Sequence, residues 1–325
     1  MRKKSILSFA IACIIAINAL SQTCITQVKQ HRNGGWIYMN QKGETVINRV
    51  YPKSWRFSDV GLAMVYDAYL NQYYFIDIKG EKLKTEIVGF QPKELFGYNF
   101  SSPGFNDGLC LIKYDKWGYF DSSGKLVIRA KYDYASYFNN GFATAKMGTK
   151  FFVINKKGDE YLLPSNVSKV SEFAEGLAPF CSVEKLFGFI NAEGQIEIPA
   201  RYKSVGYFSD GLAWAKTNDG LLGYINTKGE WVIKPQFSGG KEFEKVSGIV
   251  RVKVNGKWAF INKNGDFKKL YDGEDLDDFS EGFAAGQRNG KFGFYDNIGK
   301  WVIEPQCGQV RSFRNGFAAA KKGSQ

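Results

Sequence analysis

Residues able to perform acid–base, nucleophilic or metal chemistry are scarce in this chain. His31 is its only histidine, and it stands in the polar run at residues 30–33 near the amino terminus. A Ser–His–Asp or Cys–His arrangement would have to recruit this one residue. No Cys/His spacing typical of a zinc site occurs. We therefore expect no catalytic residue, no metal site and no cofactor, and we interpret the protein as a non-enzyme.

The densest group of carboxylates lies just before Phe279. Such a group could hold Ca²⁺, since hard cations bind carboxylate oxygens, but Leu276 stands where an Asp-x-Asp-x-Asp pattern needs a ligand. A hydrolase could also use paired carboxylates, and nothing in their spacing favours that chemistry. We interpret the group as a solvated loop between repeats. Its members are Asp272, Glu274, Asp275, Asp277 and Asp278.

Aromatic side chains are the better candidates for ligand contacts. The chain has 7 Trp, 18 Tyr and 27 Phe, a composition that suits stacking on sugar rings in an exported protein. Most of these rings occupy repeated positions, where a buried ring cannot reach a ligand. Tyr66 and Tyr69 depart from the repeated pattern, and the segment 84–103 exceeds its period, as functional loops on rigid scaffolds often do. The candidate ligand contacts are Trp55, Phe96, Tyr98, Phe100, Trp214 and Tyr271.

The elements that must position these residues come from an internal repeat. Eight times along the chain, an Asn or Asp is followed three residues later by Gly, at intervals of 34 to 44 residues. A period of this size indicates a repeat architecture. The Asx side chain can accept from backbone amides and Gly supplies a positive φ, so each pair predicts a hairpin turn. The pairs are Asn40/Gly43, Asp77/Gly80, Asp121/Gly124, Asn155/Gly158, Asn191/Gly194, Asn226/Gly229, Asn262/Gly265 and Asp296/Gly299.

Strand signals surround each of these turns. Large residues stand four and two positions before the Asx, which makes one face of a strand, and a β-branched strand such as residues 231–233 follows the turn. A second turn, Phe-x-x-Gly in most copies, completes a unit of three clear strands and a short fourth. A small residue between the two large ones suggests close backbone approach or a bulge. That residue is glycine at Gly118, Gly188, Gly223 and Gly293.

This combination resembles the WG-repeat (KWG) family of bacterial proteins. The nearest match is KWGYFDSSGK at residues 116–125, with residues 208–213 and 222–226 supplying the rest of the unit. The resemblance extends over roughly residues 35–320. It implies a repeat array that is frequently exported or envelope-associated and acts as an interaction module without shared catalytic residues.

The repeats predict an all-β fold, which we expect to be a closed β-propeller-like ring of about eight short blades. The pattern begins in mid-unit at residues 35–40 and ends in mid-unit at residues 313–320. These N- and C-terminal half-repeats would complete one blade together, and closure would remove exposed sheet edges. An open β-solenoid is the alternative, because the repeat is short for a four-stranded blade.

The first 21 residues have the pattern of a secretory signal: a basic start at residues 2–4, an apolar run at 6–17 and a small-x-small site at 19–21. The run is too short for a membrane span, which needs about 20 residues. We expect cleavage after Ser21, no membrane span thereafter and a secreted or periplasmic protein. A lipoprotein route through Cys24 is the alternative.

We divide the chain into a signal peptide (1–21), a short segment (22–34) and a WG-repeat β domain (35–325) with an insertion near 84–103.

Net charge and cysteines limit the remaining function classes. The formal charge is +12, but the lysines are scattered, whereas a nucleic-acid groove needs charge concentrated on one face. The cysteines fall at different places in different repeats, so we expect no disulfide framework. We therefore interpret the protein as an exported scaffold that mediates protein–protein interaction at the bacterial cell envelope, with no nucleic-acid partner. A carbohydrate-binding, lectin-like module is the alternative.

Overall fold

Strands are the only regular elements in the described residues of this computed structural model. The structure describes residues 26–29, 34–40, 44–92, 104–268, 277–313, 316, 318 and 320–322. The all-β repeat fold predicted from the sequence is confirmed. Contacts between residues divide the chain into two compact units. The first comprises Met1–Gly141, Ala145–Thr149 and Ile154–Asp159, and the second comprises Phe142–Thr144, Lys150–Val153 and Glu160–Gln325.

The strands of the N-terminal half form three sheets, which are followed by a four-stranded sheet. Their orders are β1-β2-β3, β4-β5-β6, β11-β10-β9-β7 with β8 also paired to β9, and β12-β13-β14-β15. The bounds are β1 Thr26–Lys29, β2 Trp36–Met39, β3 Thr45–Tyr51, β4 Lys53–Ser54, β5 Ala63–Asp67, β6 Gln72–Ile76, β7 Gln91–Pro92, β8 Phe105–Asn106, β9 Leu109–Lys113, β10 Trp117–Asp121, β11 Leu126–Tyr132, β12 Tyr134–Ala135, β13 Phe142–Met147, β14 Lys150–Asn155 and β15 Glu160–Leu162.

The strands of the C-terminal half form four sheets, each of four strands in chain order: β16 to β19, β20 to β23, β24 to β27 and β28 to β31. Their bounds are β16 Val167–Val170, β17 Ala178–Ser182, β18 Phe187–Ile190, β19 Ile196–Tyr202, β20 Ser204–Val205, β21 Ala213–Lys216, β22 Leu222–Ile225, β23 Trp231–Phe237, β24 Gly239–Gly240, β25 Ile249–Val254, β26 Lys257–Asn262, β27 Phe267–Lys268, β28 Ala284–Arg288, β29 Lys291–Tyr295, β30 Trp301–Val310 and β31 Ala320–Lys322.

The Asx-x-x-Gly hairpin turns form as the sequence predicts. Oδ1 of Asn226 accepts hydrogen bonds from the amides of Lys228 and Glu230, both at 3.0 Å, and Gly229 has a φ of +78°. The side chain therefore satisfies two amides that the tight turn leaves without a backbone partner. The same pair of contacts is made by Asp77, Asp121, Asn155, Asn191, Asn262 and Asp296.

The repeated glycine between the two aromatic positions lies at a bulge. Leu222 pairs with Phe237 but Tyr224 pairs with Ile233, so the register of β22 against β23 shifts at Gly223. A Cβ on Gly223 would lie 2.4 Å from the carbonyl oxygen of Ile233, closer than any side chain tolerates. The predicted close backbone approach is confirmed, and it recurs at Gly118, Gly188 and Gly293.

Aromatic residues of one repeat pack against the turn of the next. Tyr224 is fully buried, its ring centroid lies 4.9 Å from that of Phe243, and its hydroxyl donates to the carbonyl of Lys241 at 2.9 Å. Burial raises the pKa of the Tyr224 hydroxyl, so the group stays protonated and keeps donating. Tyr38 and Tyr119 donate in the same way to carbonyls 17 residues further along the chain.

A carboxylate joins each of several Phe-x-x-Gly turns to the turn of the following repeat. Glu175 accepts from the amides of Asp210 at 2.9 Å and Gly211 at 2.8 Å, and the ammonium of Lys245 lies 2.8 Å away. Burial alone would raise the pKa of Glu175, but the hydrogen bonds from Lys245, Gly211 and Asp210 outweigh it and hold the pKa below its usual range. We call this contact the turn latch.

The turn latch recurs at the same place in other repeats. Asp107 accepts from the amide of Gly141 at 2.7 Å, and Glu281 accepts from the amide of Gly316 at 2.8 Å. Asp107 and Glu281 both have a positive φ, 52° and 54°, a conformation that costs energy for any residue with a Cβ. In this conformation each carboxylate contacts the turn of the following repeat.

The N-terminal sheet differs from the arrangement expected from the half-repeats. We expected the C-terminal strand to complete the unit that begins at β2. Instead β1 pairs with β2, from Thr26 opposite Met39 to Lys29 opposite Trp36, and β31 pairs with β30. β21 pairs with β22 in the same register, so β1 holds the position that β21 holds in its own repeat. β1 thus covers an edge of β2 that would otherwise leave backbone groups unpaired.

Candidate functional site

The first unit presents a cluster of aromatic side chains around Tyr73. The ring centroids of Trp55 and Tyr66 lie 5.9 Å and 4.9 Å from that of Tyr73. The ammonium of Lys53 lies 5.6 Å from the Tyr66 ring and 5.9 Å from the Tyr73 ring. Trp55, Tyr66 and Tyr73 are half-buried, so each ring keeps part of its surface open to a ligand.

The hairpin between β5 and β6 carries the most exposed apolar group of this unit. Tyr69 is 96% exposed and Leu70 is 45% exposed. Asp67 is only 6% exposed, and its Oδ1 accepts from the amides of Tyr69 at 2.9 Å and Leu70 at 3.1 Å. Its Oδ2 accepts from Arg49 at 2.6 Å. A buried, fully bonded carboxylate thus fixes the backbone while two large apolar side chains point into solvent. We call residues 67–71 the apolar tip.

The corresponding loops of the next two repeats also expose apolar residues. Tyr114 lies between β9 and β10, Met147 ends β13, and both are exposed. Equivalent loops of stacked repeats map to one face of an array. The second unit has different loops at this place, including two Asn-Gly turns at residues 255–256 and 289–290. All four of those residues have a positive φ, as type I′ hairpins require.

The second unit contains a cavity of about 650 Å³ between the sheets β16 to β19 and β20 to β23, which lies within the range of roughly 300–1,000 Å³ typical of small-molecule sites. Tyr202 is buried beneath it, and the ring of Trp231 meets Tyr202 edge-on at 5.6 Å and 86°. The other lining residues are Arg201, Thr217, Asn218, Lys228, Gly229 and Glu230.

The Asx turn at Asn226 builds one wall of this cavity. It places Lys228 and Glu230 at the rim, both exposed. Gly229 between them contributes its carbonyl oxygen, which accepts from Nη2 of Arg201 at 2.6 Å and from the Tyr202 hydroxyl at 3.1 Å. A Cβ at position 229 would lie 3.1 Å from Nη2 of Arg201, so glycine lets the guanidinium reach the backbone.

The described sequence candidates lie at two separate places. Trp55 belongs to the aromatic cluster of the first unit. Trp214 belongs to the second unit, where it is half-buried, packs against the core and donates its indole N–H to Glu242 at 3.0 Å. It does not line the cavity. The remaining candidates, Phe96, Tyr98, Phe100 and Tyr271, lie outside the described residues, and all six stay predictions as ligand contacts.

Sequence reasoning missed the cavity residues. Trp231 was noted only as part of the strand at residues 231–233, and Tyr202 was not singled out. The available signal is a cation directly before an aromatic residue at the end of the strand, as in Arg201-Tyr202 and Lys131-Tyr132. In both pairs the cation lies over the ring, at 5.2 Å and 5.4 Å.

Two kinds of feature are absent from the described part of the chain: a metal-binding group of side chains and a membrane-spanning helix. It contains no group of three or more His, Cys, Asp or Glu side chains placed to hold a metal ion. Of the acidic group before Phe279, Asp278 accepts from Arg251 at 2.5 Å, and residues 272–276 lie outside the described residues. No helix long and apolar enough to cross a membrane occurs among the residues that the structure describes.

Five segments of the chain match the family described as WG containing repeat: residues 36–66, 117–151, 187–220, 223–258 and 292–325. The chain belongs to the WG-repeat family. This confirms the resemblance noted in the sequence. The WG-repeat matches begin at Trp36, Trp117, Phe187, Gly223 and Phe292, at the strand that carries the bulge. No curated protein matches this WG-repeat chain.

Several solved structures are similar to this WG-repeat chain at low sequence identity. The crystal structure of a eukaryotic initiation factor is 12% identical with a TM-score of 0.57, covering 89% of this chain and 87% of that chain. BamB from Moraxella catarrhalis is 10% identical with a TM-score of 0.38, covering 85% and 96%. The computationally designed Ika8 protein is 12% identical with a TM-score of 0.44, covering 82% and 92%. The likeness to the initiation factor concerns the fold alone.

Proposed function

We propose that this WG-repeat protein is an exported, non-enzymatic β-repeat scaffold that binds another protein at the bacterial cell envelope. The observation that carries the proposal is the apolar tip of the first unit. Exposed tyrosines are enriched among the residues that dominate binding energy in protein interfaces. Because Asp67 already fixes the backbone of Tyr69 and Leu70, binding would cost little further ordering of the loop.

Charges near the tip indicate the chemistry of the partner. Lys53 lies over the aromatic cluster beside the hairpin, and Lys113 and Lys146 flank the exposed Tyr114 and Met147 in the chain. Charges around an interface steer association and select partners. The partner would therefore combine an apolar pocket for the tip with an acidic rim.

The test replaces Tyr69 and Leu70 together with serine. We expect the variant to lose affinity for its partner by at least roughly tenfold, because truncating an interface anchor commonly costs about 2 kcal/mol or more. The partner is first identified by a photo-crosslinking amino acid at position 69 in cells, and its affinity for the purified chain is then measured. Ile298→Ser is the matched control, since Ile298 is also exposed (77%) but lies in an Asx turn of the second unit.

If the partner binds the Tyr69 and Leu70 serine variant as tightly as it binds Ile298→Ser, the apolar tip is not the docking site. Crosslinks to lipid alone, together with tip-dependent binding to anionic phospholipid vesicles, would assign the tip to a membrane surface instead. Failure of position 69 to crosslink any protein in the envelope would contradict the proposal as a whole.

Export is part of the same proposal and is supported by the signal pattern at residues 2–21. We expect the intact mass of the protein recovered from the cell envelope or medium to correspond to a chain that begins at Gln22. A chain that keeps residue 1 and stays in the cytoplasm would contradict export. A lipid-modified chain beginning at Cys24 would instead support the lipoprotein route.

We also propose that the sheets are blades of a closed, propeller-like ring, with an open β-solenoid as the alternative. The series of similar antiparallel sheets supports this. In such a ring, the blade predicted to form from both half-repeats would have to accommodate β1 at the edge of β2. Small-angle X-ray scattering distinguishes the two forms. A radius of gyration close to that of a globular chain of this length favours the ring, and a clearly larger value favours the solenoid.

Carbohydrate binding is a second candidate function, and the cavity beside Trp231 is the observation that favours it. Small-molecule sites combine an aromatic or apolar surface with a few fixed polar groups. Trp231 and Tyr202 supply aromatic surface to this cavity, and polar side chains also line it. The candidate is compatible with a scaffold role, because the apolar tip and the cavity use different residues.

A further inference from the structure

We infer that the cavity of the second unit binds a sugar that carries one carboxylate, an inference that rests on the second candidate function, carbohydrate binding. Arg201 and Lys228 contribute two positive charges to the lining, and Glu230 contributes one negative charge. The lining therefore has a surplus of one positive charge. A ligand with a single carboxylate balances that surplus.

The guanidinium of Arg201 is held ready for such a carboxylate. Its carbon lies 5.2 Å from the centroid of the Tyr202 ring, and its Nη2 donates to the Gly229 carbonyl and to the Tyr202 hydroxyl. Its Nε and Nη1 have no hydrogen-bond partner among the described residues. Each of these nitrogens can donate a single hydrogen bond to a carboxylate, and a hydrogen bond between two charged groups is stronger than one between neutral groups. Because the side chain is already fixed, little conformational entropy remains to be lost on binding.

Glu230 favours a ligand that also carries hydroxyl groups. Its Oε2 accepts from the side-chain amide of Asn226 at 2.8 Å, and Oε1 has no partner within the described part of the chain. An ionised carboxylate only accepts hydrogen bonds, so the ligand must donate to it. Sugar hydroxyls do so, whereas a fully ionised phosphate cannot and would be repelled. Asn218, also at the rim, can both donate to and accept from hydroxyls.

Trp231 supplies the apolar surface that a sugar ring needs. It is half-buried and is fixed edge-on against Tyr202, so part of its ring is exposed to the cavity. Amphipathic ligands place their C–H groups on such rings and keep their hydroxyls in hydrogen bonds. The following repeat lacks this combination. In the following repeat Gln236, Asn264 and Phe267 stand at the positions of Arg201, Lys228 and Trp231.

Isothermal titration calorimetry with the mature chain tests the inference. The probes are the monosaccharides D-glucuronate and D-galacturonate, which carry one carboxylate each, the neutral monosaccharides D-glucose and D-galactose, and inorganic phosphate. We expect the uronates to bind at least about tenfold more tightly than their neutral counterparts, as one charge-assisted hydrogen bond implies. Lys228→Gln should remove most of this preference, because it removes one of the two positive charges of the lining.

The matched control is Lys157→Gln, which removes the same charge from the same turn position of another repeat. The amide of Lys157 donates to Oδ1 of Asn155 at 2.9 Å, as that of Lys228 does to Asn226. Lys157 does not line the cavity, so the control should bind uronates like the unsubstituted chain. Thermal unfolding of both variants shows whether the fold is kept, and Glu230→Gln provides a second variant should Lys228→Gln fail to fold.

The outcomes separate the two proposals. Equal binding of acidic and neutral sugars, with no effect of Lys228→Gln, would overturn the carboxylate inference and leave carbohydrate binding intact. No binding of any sugar would overturn both. Tighter binding of phosphate than of uronates would overturn the inference too, because it would show that Glu230 neither repels the ion nor requires a hydroxyl donor.

Discussion

Gly223→Ala should lower the free energy of unfolding of the second unit by about 2–3 kcal/mol, the upper range for inserting a methyl group into a closely packed site. The new Cβ would lie 2.4 Å from the Ile233 carbonyl oxygen and 2.8 Å from the nitrogen of Pro235. Both are backbone atoms, so no side-chain rotation relieves the contact. β22 would have to move away from β23 at the bulge, which would weaken the strand pairing on both sides.

Gly239→Ala is the control for this variant. Gly239 is the first residue of β24, and a Cβ there would lie 3.4 Å from the Cβ of Lys253, an ordinary contact with a side chain. We expect a change within about 0.5 kcal/mol for Gly239→Ala. The measurement is denaturant unfolding followed by tryptophan fluorescence. Equal stability of the two variants would mean that the bulge adapts to a methyl group, and that another constraint selects glycine at position 223.

Glu175→Gln should cost about 1–2 kcal/mol at neutral pH, because hydrogen bonds to a charged acceptor are stronger than those to a neutral one. Glu175 joins its own turn to Asp210 and Gly211 in the next repeat and to Lys245 in the repeat after that. A glutamine at this position would keep one acceptor oxygen for two backbone donors and lose the ion pair. Glu193→Gln is the control, since Glu193 is exposed in an Asx turn of the same repeat.

The effect of Glu175→Gln should depend on pH. The pKa of Glu175 is lower in the folded chain than its ordinary value of 4.5, so the unfolded chain binds the proton more readily. The stabilisation by Glu175 is therefore complete above about pH 4.5 and is lost as the pH falls through the folded-state pKa. We expect the difference between the unsubstituted chain and Glu175→Gln to shrink in acid, measured as urea midpoints from about pH 7 down to about pH 3. A difference that stays constant would show that the charge of Glu175 has no part in the turn latch.

The parts of the fold set by backbone conformation were predictable from the sequence. A turn that needs a positive φ and a bonded Asx side chain leaves few residue choices, so Asn226 and Gly229 mark their hairpin directly. Gly223 was predictable for the same reason, since only glycine fits beside the Ile233 carbonyl. At each of these positions, the residue type is restricted by atoms that are close in the chain or that belong to one neighbouring strand.

Contacts that depend on distant parts of the chain were harder to predict. β1 has only four residues and no repeat pattern, so nothing local distinguishes it from a linker, and its pairing depends on the free edge of β2. Glu175 stands at a turn position that other repeats fill with Asn140 or Lys245, and only the fold shows that its carboxylate reaches the next turn. Arg201 and Lys228 are far apart in the chain, and the packing of two sheets brings them to one cavity.

The apolar tip was partly predictable. Trp55 and Tyr69 stood out because they break the repeated pattern, and the structure places Trp55 in the aromatic cluster beside the hairpin. The exposure of Tyr69 could not be inferred from the sequence, because it depends on Asp67 being buried beneath the loop. A tyrosine in a hairpin without that carboxylate could as well fold back onto the sheet.

The direction of the turn latch has a consequence for how such chains change length. A turn with the latch offers a carboxylate forward to the following repeat, whose turn offers its backbone amides backward, as Glu175 and Gly211 show. Backbone amides are present in every turn, so only the carboxylate depends on the sequence of the repeat. A tandem duplication of a repeat that has this carboxylate would insert a unit with both halves of its junctions, so neither neighbour would need to mutate. Arrays built in this way can gain or lose whole repeats during evolution at little cost to their internal contacts.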